Sequence, residues 1–318
     1  MIIKKINSKK GALEMSFSWL FAIIVGMIIL VLVIYGVNKG FQGGQVEQSA
    51  LIGKEISVLL NPLETSFEAG KTSSLSLSSD TRLYNKCDNF GGFGTQYLEV
   101  SQKSFGEWVK TDFDITFSNK YIFSDNYVEG KKFYFFSKPF EFPFKVADVI
   151  YMTSASDFYC FEEFPEDMGD VEEELTTLNQ ENIQVGECGE ENFITICFEY
   201  GSNCDINVNY NSKSVEKQGE EVYFETDALM YAAIFSEKQG YECQTRRLLQ
   251  RLENLAQIYN EKESFTSSNG GCSFEIGADL NVLKSSAASV QNSGELIQLR
   301  NIVEDIKIKN ERAYCALW

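Results

Sequence analysis

The chain has 318 residues, of which 44% are hydrophobic, and it carries a formal net charge of −18. This length and apolar content support a sizeable hydrophobic core and exclude a largely disordered chain. The strongly negative charge excludes nucleic acid as a partner, because an anionic surface repels phosphate.

A long apolar segment follows a short basic tail at the start of the chain. Residues 1–14 include four lysines, and residues 15–37 carry no charge. As a helix, these 23 residues extend about 34 Å, enough to cross a hydrocarbon layer of about 30 Å. We therefore predict a cytoplasmic basic tail over 1–14 and a transmembrane helix over 15–37, because lipid offers backbone amides no other partner.

The lysines at positions 4, 5, 9 and 10 all precede this segment. The positive-inside rule then places the amino terminus in the cytoplasm and the rest of the chain outside the cell, anchored in the cell membrane by a single pass. A cleaved secretory signal and a buried helix of a soluble protein are the alternatives. A signal has a shorter apolar stretch and a small-residue cleavage site, and a soluble helix has a polar face, so a retained anchor is favoured.

The segment 38–62 is predicted to be a linker followed by a short helix. Glycine-rich residues 38–45 are expected to interrupt the helix and to give flexibility where the chain leaves the bilayer. The apolar spacing over 46–60 suits a short amphipathic helix, and Asn61 with Pro62 is expected to end it.

The next segment, 63–160, is predicted to be a β-rich outer subdomain. Serine and leucine alternate over 73–78, which is typical of a half-buried strand, and the aromatic run 133–136 also indicates a strand. Prolines at 139 and 143 are expected to break these strands. The aromatic segment 140–144 is expected to lie in the core, with an exposed ligand platform as the alternative.

Residues 161–182 are rich in Asp and Glu. Clustered carboxylates are suitable ligands for calcium, but these have no fixed ligand spacing, so a solvated linker or an exposed helix start is expected. We interpret this acidic linker as the boundary between two outer subdomains.

The last segment, 183–318, is predicted to be an outer subdomain in which a strand meander precedes helices. Alternating hydrophobicity between turn residues indicates strands at 193–198, 205–210, 214–217 and 221–224. Helices are predicted from a cap at Thr226 or Asp227 through Phe235, from about Ser236 onward, and over about 295–312. Because helices are segregated after strands, the predicted fold class is α+β.

The second of these predicted helices has two distinct faces. Leu248 and Leu252 fall on the apolar face, whereas Arg246 and Arg247 fall opposite it. Ser236, with Gln239 three residues later, resembles a capping box at its start. We therefore expect both arginines to lie away from the core.

The segment 205–216 has some features of a calcium-binding loop. Asp205, Asn207 and Asn209 have the alternating ligand spacing of an EF-hand, and Glu216 lies near its end. The sixth position, however, requires glycine for a sharp turn and holds Tyr210. The same alternation is typical of a half-buried strand, so we predict a strand here and no metal site.

Eight cysteines all follow the apolar segment, on the predicted outer side. Their even number and exterior location predict up to four disulfides. Spacing does not determine the pairing, although Cys87 with Cys160 is a natural first guess. Reduced, buried cysteines are the alternative, because a chain of this length folds without covalent bridges. The candidate disulfide cysteines are Cys87, Cys160, Cys188, Cys197, Cys204, Cys243, Cys272 and Cys315.

Few catalytic arrangements are available to this chain. It contains no histidine, which excludes Ser-His-Asp and Cys-His nucleophile activation and imidazole-based zinc sites. It also lacks a Cys-x-x-Cys pair, a Walker A loop and a G-x-G-x-x-G motif. A pair of carboxylates remains the one open route. We therefore predict no enzyme activity, no catalytic residue and no cofactor.

The start of the chain resembles a known family. Lys9, Lys10 and Gly11, followed by Ala12 and Glu14 before the apolar segment, resemble the class III signal of archaeal type IV pilin-like proteins. The resemblance implies that a prepilin peptidase cuts after Gly11, so that Ala12 begins the mature chain. It also implies that the apolar helix packs in the core of a filament. The acid is third in that mature chain, whereas the family usually has it fifth.

Three further segments, 119–124, 143–148 and 231–236, resemble single-pass surface proteins of archaea with small genomes, which implies a cell-envelope setting. Together with the predicted anchor, this resemblance indicates a membrane-anchored cell-surface protein with a disulfide-containing ectodomain that binds or scaffolds. The alternative is a type IV pilin-like filament subunit or minor pilin processed after Gly11. The expected partners are the membrane and, at the cell surface, other proteins or further copies of the chain.

Overall fold

A computed structural model of the chain describes most of its residues. The chain divides into two compact units, residues 1–48 and 49–318. The candidate processing residues Gly11, Ala12 and Glu14 lie outside the described residues. The described ranges are 17–65, 72–104, 106–165, 168–189, 192–198, 204–269 and 275–318.

Helix α1, Phe17–Thr65, contains residues 17–37 of the apolar segment. Within the first unit, Ser18–Val37 is long and apolar enough to cross a membrane, and none of it is buried within the protein. Large apolar side chains are exposed on every side of this stretch, which is unfavourable in water and typical of a helix in lipid. This is the character of a membrane-crossing helix or of a signal helix.

The predicted break at the glycine-rich residues 38–45 is wrong, because α1 continues through them. Each glycine costs about 1 kcal/mol relative to alanine, which weakens a helix without terminating it. Pro62 also falls inside α1, shortly before its end at Thr65. Proline removes one amide donor and so weakens the last turn, and the helix ends after it rather than at it.

Six strands from the first part of the second unit form one sheet: β1 Thr72–Asp88, β2 Thr95–Ser104, β3 Glu107–Phe117, β4 Tyr121–Phe123, β5 Tyr127–Glu141 and β6 Lys145–Ser154. Their order in the sheet is β3-β2-β1-β5-β6-β4, and all neighbouring pairs are antiparallel except β4 with β6. The strands predicted at 73–78 and 133–136 lie in β1 and β5 and are confirmed.

Pro139 does not break β5, contrary to the prediction. It lies opposite Asp148 of β6. On the other side of β5, pairing with β1 extends only as far as Phe136. Within the described residues, Pro139 therefore has a neighbouring strand on one side alone, where a missing backbone donor is tolerated.

A second six-stranded sheet follows: β7 Phe158–Glu162, β8 Ile183–Val185, β9 Phe193–Cys197, β10 Ile206–Asn209, β11 Ser214–Lys217 and β12 Glu220–Tyr223, in the order β12-β11-β10-β9-β7-β8. The strands predicted between 193 and 224 are confirmed. Their arrangement as a simple meander is wrong at one step, because β9 and β10 pair in parallel. The carboxylate of Asp205 accepts hydrogen bonds from the backbone amide and the hydroxyl of Thr195, which fixes the start of β10 beside β9.

The remaining helices are α2 Gly169–Thr177, α3 Asp227–Phe235, α4 Lys238–Asn269, α5 Gly277–Ser289 and α6 Ile297–Arg312, with a short 3₁₀ helix at Ser293–Glu295. The protein is therefore α+β, as predicted. Helix α2 provides the exposed helix start expected in the acidic segment 161–182. Helix α5 has no counterpart among the predicted helices, because its apolar residues have only a weak helical period.

Helix α3 begins as its sequence predicts. The side chain of Thr226 accepts a hydrogen bond from the backbone amide of Leu229, so Thr226 is the N-cap. Eight consecutive residues of α3, from Ala228 to Phe235, are buried. A helix that is apolar on all sides is enclosed by other elements. The hydroxyl of Tyr151 in β6 donates to the carbonyl of Ala228 at 2.7 Å, which ties α3 to the first sheet.

Most of the second unit shares one hydrophobic core. Phe136 of β5 packs edge-on against Phe235 of α3, with ring centroids 5.5 Å apart. Residues from both predicted outer subdomains thus contribute to the same core. The aromatic segment 140–144 also lies in it, since Phe140, Phe142 and Phe144 are buried. The interior position predicted for this segment is confirmed.

A smaller core lies on the other side of the first sheet. Leu83 of β1 and Leu98 of β2 are fully buried there. Ile52 and Ile56 of α1 contribute to it within the second unit. These buried leucines identify the inner side of β1 and β2, so the alternate residues of the two strands face the other way.

Candidate binding face, amide-lined cavity and disulfides

Disulfides join six of the described cysteines as Cys87–Cys243, Cys160–Cys188 and Cys197–Cys204. Their Cα atoms are 6.0, 6.1 and 6.0 Å apart, within the range of natural disulfides. Cys315 is also disulfide-bonded, and Cys272 lies outside the described residues. The chain therefore contains a disulfide-bonded domain.

The first-guess pairing of Cys87 with Cys160 is wrong. Cys87 lies near the end of β1 in the first sheet, and it bridges to Cys243 of α4 across a sequence separation of 156 residues. Cys160 lies in β7 of the second sheet, and it bridges to Cys188, shortly after the neighbouring strand β8. Pairing depends on which elements are neighbours in space, and cysteine spacing does not contain that information.

Glu162 lies between two of these bridges. A carboxylate oxygen of Glu162 lies within 4.8 Å of the sulfur atoms of Cys160 and Cys188, and the same holds for Cys197 and Cys204. These residue types hold soft metal ions when the cysteines are thiolates. In the disulfide-bonded protein the sulfur atoms are not thiolates, so here they act as covalent links between strands and loops.

The outer side of the first sheet carries aromatic and charged side chains. Strand register places Tyr84 of β1 opposite Tyr127 of β5, and Arg82 opposite Glu129. Directly opposed residues share one side of a sheet. Leu83, between the two β1 residues, points to the buried side. We call this outer surface the aromatic–cation face and define it by Arg82, Tyr84, Trp108, Lys110 and Tyr127.

Arg82 organises the rings of the aromatic–cation face. Its guanidinium carbon lies 4.4 Å from the ring centroid of Trp108 and 4.5 Å from that of Tyr127. Its Nη1 donates to the hydroxyl of Tyr84 at 3.3 Å, and its Nη2 donates to Glu129 at 2.6 Å. Hydrogen bonds to Tyr84 and then to Glu129 raise the pKa of Arg82. The cation is therefore permanent, and it holds the rings through cation–π contacts.

Glu99 lies between two lysines beside these rings. Its carboxylate accepts hydrogen bonds from Lys86 and, at 2.9 Å, from Lys110. Burial raises the pKa of Glu99, but the hydrogen bonds from the two lysines outweigh burial, so its pKa lies below the ordinary value. Among the described side chains, this surface carries the carboxylates Glu99, Asp114 and Glu129 and one more cation than that: Arg82, Lys86, Lys103 and Lys110.

A cavity of about 700 Å³ adjoins the aromatic–cation face. We call it the amide-lined cavity, because side-chain amides are its commonest lining group. Tyr84 lines the cavity and also belongs to the face, so the two surfaces are continuous. Its lining residues are Tyr84, Asn85, Lys86, Cys87, Asn89, Asn126, Gln239, Gly240, Glu242, Cys243 and Gln291.

Several amides of the cavity retain hydrogen-bonding capacity. Asn126 donates its amide N–H to Glu237, and Gln291 donates to the carbonyl of Ser289 at 3.0 Å. Among the described residues, neither of their side-chain carbonyl oxygens accepts a hydrogen bond. The side chain of Gln239 also makes no hydrogen bond with any described residue. The cavity thus offers both donors and acceptors to a ligand.

Arg247 fixes the loops beneath this region. It was expected to lie away from the core, but its side chain is fully buried. Its guanidinium donates to the backbone carbonyls of Phe93, Lys120 and Ser118, at 3.0, 2.9 and 3.1 Å. It also lies 4.9 Å from the ring centroid of Tyr121. The outer face of α4 is covered by loops of the first sheet, and their carbonyls satisfy the buried charge.

The connection between β1 and β2 is held close to α4. Gly94 has a φ of +58°, and a Cβ there would lie 2.4 Å from the carbonyl oxygen of Asp88 and 2.9 Å from Cγ of Arg247. Only glycine fits this position. Gln250 of α4 donates to the carbonyl of Asn89 at 3.0 Å, which secures the cavity residue Asn89.

No protein-family model, curated protein or solved structure matches the chain. Function is therefore inferred from the residues themselves. The aromatic–cation face has no counterpart among the residues singled out from sequence. The one local sequence signal for this face is that Arg82, Tyr84 and Lys86 alternate along β1 and so lie on the same side of it. Trp108 and Tyr127 join them only through strand pairing.

Proposed function

We propose that the chain is a membrane-anchored cell-surface protein whose disulfide-bonded ectodomain binds a ligand or scaffolds a partner. The observation that carries this proposal is the exposed apolar helix Ser18–Val37 ahead of a disulfide-bonded unit. A helix of this composition is stable in lipid and costly to expose to water. Disulfides persist in oxidising surroundings, outside the cytoplasm. Both features favour an exterior location for the second unit.

The proposed orientation places the amino terminus inside. Four lysines precede the helix, and the rest of the chain has a charge of −21 once the +3 of residues 1–16 is taken from the total of −18. Lysines next to a membrane segment are retained on the cytoplasmic side. An acidic domain is repelled by anionic lipid, so the negative charge of this part gives it no affinity for the membrane surface.

The proposed binding surface is the aromatic–cation face with the amide-lined cavity. Its rings are held by Arg82 before any ligand arrives, so little conformational freedom is lost on binding. A concave cavity with a few fixed polar groups is the usual form of a ligand site in proteins. The proposed role is binding without enzyme activity.

Membrane extraction together with surface labelling tests this proposal. Membranes are washed with alkaline carbonate and then extracted with detergent, and intact cells are reduced and treated with a thiol probe that does not cross membranes. We expect the protein to resist carbonate, to enter detergent and to be labelled only after reduction. Release by carbonate, or the absence of labelling until cells are lysed, contradicts the proposal.

A pilin-like filament subunit is the second candidate. The observation that favours it is the length of α1, which continues as a helix from Phe17 to Thr65. Long continuous amino-terminal helices are typical of the pilin-like proteins that residues 9–14 resemble. Amino-terminal sequencing of the membrane-extracted protein separates the two candidates. A start at Ala12 supports pilin-type processing, and an intact start with its four lysines supports a plain anchor.

A further inference from the structure

The amide-lined cavity and the aromatic–cation face form one elongated surface. Tyr84 belongs to both, and its ring centroid lies 5.8 Å from that of Tyr127. Moving away from the cavity, Arg82 and then Trp108 follow on the face. A ligand longer than the cavity therefore extends over aromatic rings rather than into open solvent.

The charges along this surface do not favour an ionic ligand. Lys86 and Glu242 line the cavity, one of each sign. Beside the cavity, Lys86 and Lys110 are engaged by Glu99, and Arg82 is engaged by Glu129. The fourth cation, Lys103, lies 5.6 Å from the ring centroid of Trp108. An anionic ligand has to approach these carboxylates, and a cationic ligand has to approach the paired lysines. With Glu242 of the cavity included, the described cations and carboxylates of the whole surface are equal in number, although the chain has a net charge of −18.

The remaining chemistry selects a neutral ligand with many hydroxyl groups. Side-chain amides both donate and accept hydrogen bonds, as hydroxyl groups do. Ring faces pack against flat apolar C–H surfaces. Sugars combine hydroxyl groups at their edges with C–H groups on their faces. A volume of about 700 Å³ is within the range of small-ligand sites.

We propose that this surface binds an uncharged oligosaccharide, with one sugar unit in the amide-lined cavity and the next units across Tyr84, Tyr127 and Trp108. Gln239, Asn126 and Gln291 hydrogen-bond the first unit. This inference rests on the proposed binding function of the second unit and names the class of its ligand. A cell-surface location supplies such ligands as envelope polysaccharides or as the glycans of neighbouring cells.

Titration of the full-length protein in lipid nanodiscs tests this inference. Nanodiscs are preferred because common detergents carry sugar headgroups that compete for the site. The probes are the hexamers of the malto-, cello-, manno- and N-acetylglucosamine series, each titrated to millimolar concentration by calorimetry. We expect saturable binding of at least one hexamer, with an affinity that changes little between low and high salt, because no ion pair forms.

Two single variants locate the site. Gln239→Ala removes an exposed amide at the cavity, and Tyr127→Ala removes an exposed ring of the face. Each variant is expected to weaken binding by about tenfold, which corresponds to a loss of about 1.4 kcal/mol of binding free energy. Tyr314→Ala is the matched control, because Tyr314 is fully exposed near the end of α6 and lines neither surface. The control variant is expected to bind as the parent does.

Three outcomes overturn the inference: no saturable binding of any hexamer, binding that both site variants leave unchanged, or an affinity that high salt abolishes. Binding is measured on purified protein, whereas anchoring is measured on membranes and cells. A protein that binds a hexamer but is released by carbonate refutes the anchored location alone. A protein that resists carbonate but binds no hexamer refutes the oligosaccharide site alone.

Discussion

Replacement of Arg247 by methionine is expected to destabilise the second unit strongly. The side chain is fully buried, and it donates four hydrogen bonds, to the carbonyls of Phe93, Lys120 and Ser118 and to the side chain of Gln244. Methionine fills most of the same volume without donating any hydrogen bond. The substitution therefore removes the charge and leaves the carbonyl groups without their donors.

The magnitude of this destabilisation follows from two opposing effects. Four hydrogen bonds from a charged donor are worth about 6 kcal/mol at about 1.5 kcal/mol each. Removing a buried charge relieves a desolvation cost of several kcal/mol, which offsets part of this loss. Burial also lowers the pKa of Arg247, because the same desolvation cost disfavours the charged guanidinium. We expect a net loss of about 3 kcal/mol in the free energy of unfolding.

Urea unfolding of the solubilised full-length chain measures this loss. With a denaturant slope of about 3 kcal/mol/M for a domain of this size, the midpoint should fall by about 1 M. Arg312→Met is the matched control, because Arg312 is exposed at the end of α6. A surface substitution of this kind changes stability by less than about 0.5 kcal/mol. If Arg247→Met lowers the midpoint no further than Arg312→Met does, the buried arginine does not hold the loops to α4.

Two further changes address the bridges and the charged face. Replacing Cys87 and Cys243 together by serine should lower the free energy of unfolding by about 5 kcal/mol, and replacing Cys197 and Cys204 should lower it by about 2.5 kcal/mol. The difference arises because the first bridge closes a far longer loop. Unfolding in urea without reductant compares the two variants. Equal costs contradict this ordering. Because the pKa of Glu99 in the folded protein is below the ordinary 4.5, its stabilising effect is present above that value and is lost as pH falls through the lower folded pKa. Glu99→Gln should therefore lose less stability than the parent between neutral pH and about pH 3, and an equal loss in both proteins excludes this role for the carboxylate.

Locally encoded features of the fold are those that the sequence predicts well. Thr226 caps α3 through a contact with a residue three positions away, and alternation along 206–209 follows from the two-residue period of a strand. The apolar residues 18–37 likewise need only their own composition to indicate a membrane or signal helix. In each case the deciding interaction lies within a few residues or is with solvent.

Features that depend on distant segments are those that the sequence predicts poorly. Arg247 has the position of a surface residue on its own helix, and its burial arises because loops more than a hundred residues earlier cover it. The partner of Cys87 lies 156 residues away. The aromatic–cation face requires the pairing of β1 with β5, which brings Tyr84 beside Tyr127. The periodicity of hydrophobic residues along a helix or strand does not show which distant segments become its neighbours.

Protease treatment of intact cells tests the anchored, outward-facing arrangement most directly. An antibody against the carboxyl-terminal helix follows the ectodomain, and a cytoplasmic protein serves as the control for lysis. We expect the ectodomain to be removed from intact cells while the cytoplasmic control stays whole, and a short fragment containing α1 to remain in the membrane. An ectodomain that survives until the cells are lysed, or a full-length chain that stays soluble without detergent, contradicts this arrangement.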